Sequence, residues 1–125
     1  MAYVQGFVIP VPRGNRAAYS AAAAQSARIF MEYGAARVVE TWGDPVPEGK
    51  ITDFRRAVLA EDSEAVVFSW IEWPDKAICD AAAARMETDP RWAEMGEMPF
   101  DTTRLIWSGF QPFLDVSAEG ETISD

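Results

Sequence analysis

Three observations predict an α+β domain built around one four-stranded antiparallel sheet. Segments rich in β-branched and aromatic residues are separated by Ala-rich segments in which large side chains recur every three or four residues. The elements run strand, helix, strand, strand, helix, strand, which is the ferredoxin-like split βαβ order. The third strand, Ala65 to Trp73, carries Val66, Phe68 and Trp70 on one face and Val67, Ile71 and Trp73 on the other. Helices on one side of a sheet cannot cover both.

The first strand is read over Tyr3 to Val11 (YVQGFVIPV), with Pro10 and Pro12 placing its end at an edge or exit. Asn15 then stands where an N-cap is wanted. Tyr19, Ala23, Ser26, Phe30 and Tyr33 form one helical stripe from Arg16 to Tyr33, and Gly34 suits the stop. The alanine runs at 17–18 and 21–24 favour helix and allow close approach to a sheet.

Ala35 to Trp42 (AARVVETW) reads as the second strand. The turn-forming run Gly43 to Lys50 follows, and Asp53 to Ala60 suits either a helical turn or a strand. An excursion as long as 44–64 exceeds a hairpin loop. After the third strand, a helix is expected from Asp75 to about Glu87, with Ile78, Cys79, Ala82, Ala83 and Met86 as its apolar stripe. Asp89-Pro90 marks the start of a short helix ending near Gly96, and Thr103 to Leu114 supplies the fourth strand. The domain thus spans 1–115, followed by an acidic tail at 116–125 expected to be flexible.

The double-sided apolar pattern recurs. Phe7 and Ile9 oppose Val4 and Val8, and Leu105 and Trp107 oppose Ile106 and Phe110. A face left open to water normally alternates with polar residues. Leaving this one wet forgoes about 25 cal/mol per Å² of apolar surface. The expected partner is therefore a second copy of the chain, in a symmetric homodimer joined through the sheets.

Composition narrows function by exclusion. The 125 residues suit one domain, and no segment approaches the roughly 18 apolar residues of a membrane span. A cytoplasmic location is the expectation, since the N-terminus shows no basic region leading into an apolar stretch. The net charge of −9 argues against nucleic acid and anionic membranes as partners. Histidine is absent and Cys79 stands alone. No imidazole base or ligand, no intrachain disulfide and no multi-cysteine metal site is therefore available. Neither a metal nor a cofactor is expected. The glycines form no phosphate-binding pattern.

The stretches YVQGFVIPVP, YGAARVVETWGDPVPEGKITDFRRAV, VVFSWIEWPDK, TDPR and MPFD, in that order, resemble an uncharacterised bacterial family, domain of unknown function 1428. The resemblance runs from about Met1 to Asp115. It implies the dimeric α+β barrel superfamily, in which two ferredoxin-like subunits join their sheets. It transfers no catalytic residue. Wider relatives include cofactor-independent monooxygenases, lactone isomerases and haem-binding enzymes, several of which rely on the histidine this chain lacks.

Glu40 and Glu72, each on a strand near tryptophan, and Arg37 are the candidate catalytic residues. A partly buried carboxyl with a raised pKa can serve as a general base; in water, or paired with arginine, the same carboxyls are structural. Trp42, Trp70 and Trp73, with Asp53, Phe54 and Arg104, are the candidate ligand contacts, against the alternative of simple packing. Cys79 reads as a small buried hydrophobe. The leading expectation is a homodimer that binds a small, partly apolar ligand between sheet and helices. A cofactor-independent oxygenase or isomerase, and a structural or interaction protein without catalysis, are the alternatives.

Overall fold

The structure, a computed structural model, describes residues 2–123. The chain runs β1 (Tyr3–Pro12), a 3-10 turn (Arg13–Asn15), α1 (Arg16–Glu32), β2 (Arg37–Gly43) and α2 (Phe54–Ala57). It continues through β3 (Glu64–Trp73), α3 (Lys76–Thr88), α4 (Pro90–Glu94), β4 (Ile106–Phe110), β5 (Leu114–Ser117) and β6 (Gly120–Ile123). The first four long strands form one sheet in the order β2-β3-β1-β4, and every pairing in it is antiparallel. The mixed α+β fold with a four-stranded antiparallel sheet is as expected. Among the described residues no helix is long and apolar enough to cross a membrane.

Local chemistry sets the boundaries. β1 pairs with β3 as far as Pro12, whereas its pairing with β4 stops at Val8. Pro10 and Pro12 therefore lie where β1 has become an edge and their missing N–H groups cost no ladder bond. The fourth strand is shorter than the expected Thr103 to Leu114. The Asp101 carboxylate accepts hydrogen bonds from the Thr103 backbone (2.9 Å) and hydroxyl (2.6 Å), which holds its start in a turn. Pro112 ends it before Leu114 opens β5. The end of the expected domain and the acidic tail together form a separate two-stranded hairpin of β5 and β6, and residues 124–125 lie outside the described residues.

Three aspartates cap helices as the pattern demands. Asp75 accepts from the Ile78 N–H at 2.8 Å, Asp89 from Arg91 at 3.0 Å and Asp53 from Arg56 at 2.8 Å. Asn15 does not. Its Nδ2 donates instead to the Pro99 carbonyl at 2.9 Å, tying the start of α1 to the segment leading into β4. Gly34 closes α1 at φ 108°, a left-handed geometry that favours glycine.

The helices pack on the face that carries Val67, Ile71 and Trp73. Ile29, Tyr33, Ile71, Trp73, Cys79 and Ala82 form one buried cluster, and Ile9, Val11, Tyr19 and Val67 the other. Ala83 and Met86 of the expected α3 stripe are exposed. The opposite face presents Phe68, Ile106 and Phe110 to solvent; Phe68 is 44% exposed. The excursion after β2 packs at one end of that face. It contains the single turn α2, buries Val58, and sets the Phe54 ring 6.0 Å from Phe68.

Gly109 sits under the Tyr3 ring, where an added Cβ would overlap the Tyr3 hydroxyl and ring carbons. Gly109→Ala is expected to cost about 1–3 kcal/mol by overpacking. Urea unfolding measures it, and a loss below about 0.5 kcal/mol would mean Tyr3 swings clear freely.

Candidate functional site

α1 crosses the sheet with small residues at its centre and large ones at its ends. Ala22, Ala23, Ser26 and Ala27 face β1, β2 and β3, while Tyr19 and Phe30 stand one turn away on either side. Between these small side chains and the sheet lies a cleft of about 350 Å³. Phe7, Ile9, Ile71 and Trp107 floor it from the sheet; Trp92 of α4 and the segment through Met98, Phe100 and Leu105 close its far side. Phe7 and Trp107 stack at 6.3 Å, and Tyr19 leans on Phe100 at 5.7 Å. The volume falls within the range of small-molecule sites.

One polar cluster interrupts these walls. Glu40 of β2 pairs in register with Ser69 of β3, so both point toward the helices. The buried Tyr19 hydroxyl donates to Glu40 Oε1 at 2.6 Å. Desolvation pushes the Glu40 carboxyl above its ordinary value, outweighing hydrogen bonds from Tyr19 and Ser69 that act the other way. Burial, then the bond to Glu40, drives the Tyr19 phenol well above its usual range, so it stays a proton donor. Glu40 is nonetheless exposed overall, so its desolvation is partial, and its open surface lines both this cleft and the groove beside it. A carboxyl so placed can anchor a ligand's polar group or exchange a proton with it. Beside it, Arg16 lies 5.0 Å over the Trp42 ring, in a second groove that shares Tyr19, Ala23 and Glu40.

The other candidates lie elsewhere. Arg37, Trp70 and Glu72 stand on the open face: Trp70 Nε1 donates to Glu72 Oε2 at 2.9 Å, and Arg37 Nη1 lies 3.7 Å from the same oxygen. With Phe68, Ile106, Phe110 and Leu114 they line a broad hollow of about 960 Å³. Trp73 is 1% exposed, donates to Gln5 Oε1 at 2.8 Å and meets Phe30 edge-on, so it is core. Asp53 caps α2 and Phe54 packs on Phe68. Arg104 grips Glu64 with two bonds of 2.7 Å. Glu40 and Glu72 occupy opposite faces, so no carboxylate pair forms.

Cys79 is buried, and desolvation raises its thiol pKa, which suits packing rather than nucleophilic chemistry. Sequence reasoning missed Tyr19 and Ser69 as site residues. The signal for Ser69 was a lone hydroxyl among the helix-facing positions Val67, Ile71 and Trp73. For Tyr19 it was a phenol on an apolar stripe, which needs a buried partner.

A family model described as "Protein of unknown function (DUF1428)" matches residues 2–102. That span includes Tyr19, Glu40 and Ser69. The chain is 53% identical over 116 residues to "Uncharacterized protein YbaA" of Escherichia coli (strain K12), covering 92% of this chain and 99% of that relative. The proteins of the same description from Escherichia coli O157:H7 and Shigella flexneri match to the same extent. None of these descriptions states an activity.

Proposed function

Because the chain belongs to the DUF1428 family, whose description carries no activity, we propose a function from the geometry of the cleft. The protein acts in the cytoplasm as a homodimer of ferredoxin-like subunits, a dimeric α+β barrel in which the open sheet faces meet. Each subunit binds a small, partly apolar ligand between its sheet and α1. Glu40 and Tyr19 hold the ligand's polar group, and the aromatic walls hold its body. One observation carries the reading: a carboxyl with a raised pKa, bonded to a buried phenol at 2.6 Å, faces an apolar cleft of ligand size.

The same observation favours a second reading, proton transfer on the bound ligand. Tyr19 stays protonated while Glu40 can alternate between its two states, which is the division of roles an isomerase needs.

Binding is tested by NMR titration with small carbonyl and aromatic fragments, read at the amides of Tyr19, Ser26, Glu40 and Ser69. Ala23→Phe fills the cleft and is expected to weaken any such ligand at least tenfold. Its stability should change by under about 1.5 kcal/mol, because the new ring enters existing space. A broad library without a hit, or unchanged binding in the variant, would sink the reading.

A further inference from the structure

The walls of the cleft contain one carboxylate and, among the described residues, no lysine or arginine. Glu40 is bonded by hydroxyls alone and joins none of the ion pairs of the described residues. The nearby cation, Arg16, is engaged over Trp42 in the neighbouring groove. The same cleft is lined by the aromatic rings of Phe7, Tyr19, Phe30, Trp92, Phe100 and Trp107.

Resting on the ligand-binding reading above, we propose that the cleft selects a small organic cation, an amine with an apolar or aromatic body, whose ammonium group pairs with Glu40. Three physical arguments converge on it. A carboxylate taken partly out of water without a counter-charge is costly, and an ammonium supplies that charge where a neutral ligand does not. The Tyr19 and Ser69 hydroxyls fill only part of the acceptor capacity of the two carboxylate oxygens, which leaves a lone pair for the ligand's N–H. Aromatic faces attract a cation placed within about 6 Å of the ring centre. Anionic ligands meet the reverse: a like charge with no basic residue to offset it. The net charge of −9 adds a long-range field of the same preference.

Three probes of one shape separate the possibilities: 2-phenylethylammonium, 2-phenylethanol and phenylacetate, titrated by calorimetry and by NMR at the cleft amides. The ammonium is expected to bind at least tenfold more tightly than the alcohol, with no binding of phenylacetate. Glu40→Gln keeps an acceptor for Tyr19 and is expected to erase the preference, bringing the ammonium down to the alcohol's affinity or below. Equal or tighter binding of the alcohol or of phenylacetate in the cleft overturns the inference and leaves the cleft reading standing. A cation preference that survives Glu40→Gln overturns it as well. If none of the three binds while neutral carbonyl fragments occupy the cleft, the inference alone fails; a cleft that takes no fragment of any kind removes both.

Discussion

Arg104→Ala is expected to destabilise the fold by about 3 kcal/mol, a drop of about 10 °C in Tm. Glu64 at the start of β3 is 2% exposed, and both its oxygens take bonds of 2.7 Å from the Arg104 guanidinium. The same guanidinium donates to Asp101 at 2.9 Å and to the Leu59 carbonyl at 2.9 Å. Arg104 thus joins the segment before β4 to the end of the long excursion and to β3. Removing it leaves a buried carboxylate with only the Glu61 N–H as partner, and uncompensated buried charge is the expensive case. The figure sits at the low end for such a break because the Arg104 side chain keeps 18% exposure. Arg104→Lys keeps the charge but not the two-pronged geometry, so an intermediate loss is expected. Chemical denaturation measures both, and a loss under about 1 kcal/mol for the alanine variant would mean water replaces the guanidinium.

The acid limb of the stability curve checks the same knot. Hydrogen bonding from Arg104 holds the Glu64 carboxyl below its ordinary value, and bonds from Thr103, then Arg104, hold Asp101 at about 2. Depressed carboxyls contribute stability that is present above their unfolded pKa values and lost as pH falls from about 4.5 toward 2. Glu40 has the opposite sign. Its raised value makes the fold favour the protonated form, so its contribution worsens as pH rises through and beyond 4.5. Arg104→Ala should flatten the acid limb, and Glu40→Gln should raise relative stability at neutral pH. Thermal melts across pH 2 to 7 read both.

Phe68→Glu is expected to convert the proposed dimer into a monomer without unfolding the subunit. Phe68 lies in the middle of the open sheet face, 5.8 Å from the Trp70 ring and 6.0 Å from Phe54. In an isolated subunit a glutamate there points into water. Between two joined sheets it would be a buried unpaired charge repeated by symmetry, which association cannot offset. Light scattering is expected to give twice the chain mass for the parent protein and the chain mass for the variant, with circular dichroism unchanged. A parent protein that is monodisperse and monomeric at micromolar concentration would remove the dimer from the proposal.

The caps and the periodicities were legible along the chain because their partners are near in sequence. Asp75 reaches Ile78 and Asp89 reaches Arg91, distances a local pattern already encodes. Asn15 misled for the converse reason: its amide serves Pro99, far along the chain, and local cap statistics carry no knowledge of that carbonyl. The alanines of α1 marked the helix but not the cleft beside it. Small residues on a helix permit close packing, but here the cleft opens beside Ala22, Ala23, Ser26 and Ala27, between the larger Tyr19 and Phe30.

The sequence by itself determined the four strands of the main sheet, the two long helices and the apolar character of both sheet faces. Each rests on periods of two and about 3.6 residues that the backbone geometry imposes. Only the tertiary structure decided which face the helices take, and it joined Tyr19, Glu40 and Ser69 from α1, β2 and β3. It also separated Glu40 from Glu72, which looked alike as strand carboxylates beside tryptophans. Alternation along a strand says that side chains part to opposite faces, but which face is dry follows from where the helices pack, a contact between residues distant in the chain.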